Sequence, residues 1–167
     1  LLGPCRSRMR DTEIRRHYLG GEVTLDGVEV GEPFRRDDAP PFDRRPRVVG
    51  EIAWPGPMLD RDFLVAADVA AHRPVKVVLP GPVATARACR GDAGDIEDRA
   101  AGFARASVRE VAALAEAGCR TFQIDERGLV DRPDDAQRVA THLGPVVEAA
   151  GEGAEVIVDL GAGDATP

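Results

Sequence analysis

Three acids stand where apolar runs end: Asp125 and Glu126 after Phe122-Gln123-Ile124, and Asp159 after Val156-Ile157-Val158. Carboxylates at the ends of buried strands can receive a substrate's ammonium group, or move protons as general acid and base. Asp125 and Glu126 could equally cap the next loop or pair with the adjacent Arg127. Asp159, followed by Gly161, Gly163 and Asp164, has three readings: a replacement metal ligand, a general acid or base, and a plain loop acid. Trp54 is the only tryptophan and sits in the turn Trp54-Pro55-Gly56-Pro57. Its flat ring suits stacking on a heteroaromatic ligand, and equally suits anchoring a half-buried loop.

Thiols and imidazoles offer less. Cys5, Cys89 and Cys119 form no CxxC pair, so neither a disulfide framework nor a zinc knuckle is expected. Arg87 and Arg90 beside Cys89 could lower its pKa, whereas Cys119, at a helix end before a strand, reads as a small core residue. His17, His72 and His142 lack metal-binding spacing, and the last two are expected on helix surfaces.

Four apolar runs, each followed by breakers, have to position these groups: 47-RVVGEIAWPGP-57, 75-VKVVLPGP-82, 121-TFQIDERG-128 and 155-EVIVDLGAG-163. Helical patterns lie between them. The clearest places Phe103, Ser107, Val111 and Leu114 on one stripe, with Gly118 as terminator. Another covers residues 58–72, and a third begins at Pro133-Asp134-Asp135 with Val139, Leu143, Val146 and Val147 inward. Alternating strands and helices predict a parallel sheet covered by helices. In a barrel of eight such units, the residues after each strand gather on one face and build the active site. Asp26-Gly27 between β-prone runs predicts a hairpin, and the proline- and charge-rich residues 32–46 an exposed connector. The chain is therefore read as one partial (β/α)8 barrel domain over residues 1–167, with a β-hairpin insertion at about residues 20–46.

The 167 residues are 43% hydrophobic and 31% charged, as in a soluble globular domain, and the cysteine usage suits the cytoplasm. A net charge of -7 argues against a nucleic-acid partner, and no apolar run is long enough to span a membrane. The start LLGPCRSRMR has no initiating Met or apolar signal core, so it is read as beginning within a longer protein.

The strand ends carry a family resemblance. VKVVLPGP, a long helix ending EAGC, and then FQIDE resemble the catalytic barrel of cobalamin-independent methionine synthase, with its K-V-x-L-P/T-G-P and I-Q-I-D-E-P strand ends. RPRVVGEIAWPGP resembles its preceding strand and DTEIRRHYL its T-D-G-E-x-R-R segment. The resemblance implies a TIM barrel of the uroporphyrinogen-decarboxylase and methionine-synthase type, seen from about its second strand to its sixth. It implies a methyltransferase of methionine biosynthesis that moves a methyl group from a folate-like donor to a thiol such as homocysteine, which zinc holds as thiolate. By the same resemblance Asp125 and Glu13 bind substrate, and Glu126 is the adjacent motif acid. Trp54 is a further substrate-binding candidate, and Asp125, Glu126 and Asp159 are the catalytic ones.

Three departures from the family pattern matter. Its H-x-C zinc-ligand pair falls on Asp159 and Gly161, so no residue is assigned to a metal. Its Pro after D-E is Arg127, and D-G-E is Asp11-Thr12-Glu13. The alternatives are a zinc-free relative with lyase- or decarboxylase-like chemistry, and a non-catalytic barrel domain.

Overall fold

The structure is a computed structural model that describes residues 25–29, 33–34, 43–44, 47–71, 73–91, 94–130 and 132–161. Glu13, His17, His72, Asp164 and Cys5 lie outside the described residues.

The elements run β1 (Asp26–Glu29), β2 (Pro33–Phe34), β3 (Asp43–Arg44), β4 (Arg47–Ala53), α1 (Asp60–Ala70), β5 (Lys76–Pro80), α2 (Pro82–Ala88), β6 (Arg90–Gly91), α3 (Ile96–Glu116), β7 (Thr121–Asp125), a 3-10 turn (Pro133–Asp135), α4 (Ala136–Ala149) and β8 (Glu155–Asp159). Strands β5, β7 and β8 form a parallel sheet in that order, with Pro80 beside Asp125 and Asp125 beside Asp159. The three strands therefore end level. This open sheet with its helices is the barrel-like part, and no closed barrel forms among the described residues.

The first apolar run does not join that sheet. β4 pairs antiparallel with β1 and briefly parallel with β6. Of its residues only Val48 and Ile52 are buried, and on that side it lies on α3. Ile52 packs so close to the helix that a Cβ on Gly102 would sit 3.0 Å from it. The first arm of the hairpin expected around Asp26-Gly27, residues 22–24, lies outside the described residues, and the Val28 N–H donates to the Leu25 carbonyl across the Asp26-Gly27 pair. That pair lies inside β1 at a register shift, where Gly27 has φ +78° and a Cβ would come within 2.1 Å of the Glu51 carbonyl oxygen. Only glycine fits there.

Strand alternation divides the β5–β7–β8 sheet into two faces. Val77, Leu79, Phe122 and Ile124 are buried and share one core with Val83 and Ala86 of α2, Phe103, Val111 and Leu114 of α3, and Val139 and Val146 of α4. Each of the Val, Leu, Ile and Phe side chains among them contributes roughly 1.5–3 kcal/mol by leaving water. On the other face Lys76, Val78 and Ile157 are exposed, and Gln123, Asp125 and Asp159 follow in the same alternation.

Helix α3 starts where its cap dictates. Asp95 accepts from the N–H groups of Glu97 (2.7 Å) and Asp98 (2.9 Å), and Gly118 beyond its end has φ +102°. In α4, His142 is buried, contrary to the surface position expected from sequence. Val139, His142, Leu143 and Val146 fall at steps of three and four, so residue 142 belongs to the inward stripe. Its Nε2 lies 2.6 Å from Glu97 Oε1.

Candidate functional site

The level ends of β7 and β8 bring Asp125 and Asp159 side by side, and Arg127 joins them. Arg127 Nη2 donates to Asp159 Oδ2 at 2.8 Å and lies 3.4 Å from Asp125 Oδ2. Two neighbouring carboxylates repel, and a guanidinium between them offsets that repulsion. Asp125 is buried, and Gln123 Nε2 donates to its Oδ1 at 2.7 Å. Lys76 Nζ in turn donates to Gln123 Oε1. One polar chain thus crosses the open face from β5 to β8: Lys76, Gln123, Asp125, Arg127, Asp159. Asp159 is oriented from its other side by the Gly161 N–H, 2.9 Å from Oδ1.

Glu126 has a different place from Asp125. It is buried on the helix side, and its two oxygens accept from the N–H groups of Val83 (2.9 Å) and Ala84 (2.8 Å) in the first turn of α2. Gly81 makes this approach possible, because a Cβ there would lie 2.2 Å from Glu126 Cδ. Burial pushes the Glu126 carboxyl above its usual range, and the two N–H groups oppose that shift. In this arrangement Pro80-Gly81-Pro82 and Glu126 form a joint between β7 and α2.

Trp54 belongs to the β4 end. Its indole N–H donates to Glu110 Oε2 at 2.7 Å, and its ring borders a groove of about 720 Å³ between β4, α3 and α4. This geometry is that of a loop anchor. Glu110 is fully buried and also accepts from the N–H groups of Met58 (3.1 Å) and Leu59 (2.8 Å), ahead of α1. Sequence reasoning overlooked Glu110, although an acid seven residues after Phe103 on the apolar stripe was a readable signal. It also overlooked Gln123, whose position two residues before Asp125 places it on the same face.

Neither of the described thiols, Cys89 and Cys119, sits in a setting that activates it. Burial pushes Cys89 up to about 12, against the lowering its arginine neighbours suggested. Cys119 is buried in the core and is also raised by burial. The zinc implied by the sequence resemblance does not fit these residues. Gly161 has no donor, and the Asp159 carboxylate is engaged by Arg127 and the Gly161 N–H. Among the described residues no group of three His, Cys, Asp or Glu side chains could hold a metal.

Comparison with known proteins fits the strand-end pattern. The sequence model of the family described as cobalamin-independent synthase, catalytic domain, matches residues 39–153, more than half the chain. The chain belongs to that family. A methionine synthase of Saccharolobus solfataricus is 32% identical over 95 residues, covering 56% of this chain and 29% of that protein. The B12-independent methionine synthase of Shewanella sp. W3-18-1 superposes with a TM-score of 0.71 at 21% identity, over 95% of this chain and 50% of that one. The chain thus spans half or less of the length of these relatives. The cobalamin-independent synthase fold accounts for the three level strand ends and the helices behind them. Among the described residues no helix is long and apolar enough to cross a membrane.

Proposed function

We propose that the chain forms part of a methyl-transferring barrel acting on a sulfur amino acid, with Asp125 receiving the substrate's amino group. The observation that carries this reading is the Asp125 carboxylate, buried at the end of β7 and oriented by Gln123 and Arg127. A buried, aimed carboxylate binds an ammonium group far better than a solvated one, because water competes less. Family membership supports a small-molecule substrate, and the Shewanella enzyme was solved in complex with selenomethionine, an α-amino acid. In this reading the methyl acceptor is a thiol such as homocysteine and the donor is folate-like. Asp159 and Arg127 border the substrate, and no step is routed through a metal.

The test is calorimetric titration of L-methionine and L-homocysteine into the full chain, beside a methyl-transfer assay with a methylated folate. Asp125→Asn is expected to weaken amino-acid binding about 10–100-fold, the loss that goes with a charge-assisted hydrogen bond of roughly 1.5–3 kcal/mol. Unchanged affinity in that variant would sink the proposal.

A second reading, a zinc-free relative with lyase- or decarboxylase-like chemistry, is favoured by one observation: Arg127 and Asp159 form an ion pair at 2.8 Å. Turnover of a carboxylate substrate without a methyl donor would support it.

A further inference from the structure

Arg127 and Asp159, at the ends of β7 and β8, are joined in one ion pair. A carboxylate that keeps a guanidinium 2.8 Å away is a poor metal donor. The paired arginine is itself a fixed local cation. We infer that Arg127 is the carboxylate anchor of this strand-end site, held in place by Asp159, so that the site binds an acid without a metal. The inference rests on the proposed function only for the identity of the ligand as an amino acid.

Three features of the geometry support it. First, only Nη2 of Arg127 is used by Asp159 and Asp125, while Nε and Nη1 have no partner among the described residues. The side chain is 45% exposed, so a ligand can approach it from solvent. A guanidinium presents its donors in a rigid fork that suits a carboxylate. Second, the loop carrying Arg127 is stapled to the end of β8: the Gly128 N–H donates to the Leu160 carbonyl at 3.3 Å. With the Gly161 N–H on Asp159 Oδ1, the other oxygen of Asp159 is left facing Arg127. Third, Gly161 has φ +91°, and a Cβ there would lie 3.6 Å from Arg127 Cα, so the two loops meet closely. The arrangement is organised before any ligand arrives, which lowers the ordering cost of binding.

An amino-acid headgroup carries both charges that this cluster complements. Its carboxylate would take the free donors of Arg127, and its ammonium would meet Asp125. The site so defined takes small α-amino acids or simple carboxylates, and it discriminates against amines that lack the acid group.

Calorimetry on the full chain with two probes separates the roles: L-methionine, and its deaminated analogue γ-methylthiobutyrate. Both are expected to bind, and both to weaken at least tenfold in Arg127→Ala. Arg127→Lys keeps the charge and removes the fork, so it is expected to weaken both ligands while melting like the unaltered protein. Asp125→Asn is expected to affect L-methionine alone. Binding of γ-methylthiobutyrate that is lost in Arg127→Ala upholds the anchor even if Asp125→Asn leaves L-methionine unaffected, in which case the amino-group reading falls. L-methionine binding that needs Asp125 but is indifferent to Arg127→Ala overturns the anchor and leaves that reading standing. Failure of γ-methylthiobutyrate to bind the unaltered protein also overturns the anchor.

Discussion

Replacing Glu110 with alanine removes the acceptor of three N–H groups at once, those of Trp54, Met58 and Leu59. Glu110 is fully buried, so water does not stand ready to take its place. Each stranded donor costs about 1–3 kcal/mol. The loop 54–59 can relax outward and rehydrate some of these groups, which puts the expected total near the low end, about 3–5 kcal/mol. With a urea dependence of about 2 kcal/mol per molar, the unfolding midpoint should fall by about 2 M. Glu110→Gln keeps the shape and one acceptor oxygen, and should cost about half as much. Trp54 is the only tryptophan, so its fluorescence reports this loop without ambiguity. The folded Glu110→Ala protein should already show red-shifted emission before any urea is added. A midpoint shift under about 0.5 M with unchanged native emission would refute the idea that Glu110 holds the loop.

Three other perturbations have definite expectations. Gly81→Ala pushes a methyl group against Glu126 and should evict its carboxylate from the Val83 and Ala84 N–H groups, lowering stability by about 2–4 kcal/mol in urea melts; a neutral result would show that Glu126 has room to yield. The Arg87 guanidinium holds the Asp135 carboxyl below its usual 3.8, with Arg138 adding to the effect. A folded-state pKa that is depressed stabilises the fold fully above the unfolded value, and that contribution is lost as pH falls from there through the folded value. Asp135→Asn should therefore close the gap to the unaltered protein as pH drops below about 4, and a gap in unfolding midpoint that stays constant with pH would contradict the assignment. Glu126, raised by burial, gives the opposite slope, but it is present in both proteins and cancels in the difference. Finally, the full chain expressed without a histidine tag should carry far less than one zinc per molecule, and chelator should leave its melting temperature unchanged. Stoichiometric zinc that disappears in Asp159→Ala would restore Asp159 as a ligand.

The strand–helix rhythm and the places where chemistry could gather are legible in the residues alone. Short β-prone apolar runs, broken by Pro-Gly-Pro or by acids, located β5, β7 and β8, because such runs fit a sheet until turn-forming or charged residues end them. The stripe of α3 and its Gly118 terminator were legible for the same kind of reason, a fixed helical period. The motifs VKVVLPGP and FQIDE were enough to place the family. Pairing and direction were decided only in three dimensions. β4 reads as one more barrel strand, yet it turns antiparallel to β1, because local pattern does not specify a strand's partner. Glu126 and Asp125 are chemically alike and adjacent, and strand alternation sends one to the α2 N-terminus and the other to the open face. The ion pair of Arg127 with Asp159 spans 32 residues of sequence and exists only because β7 and β8 end level with each other.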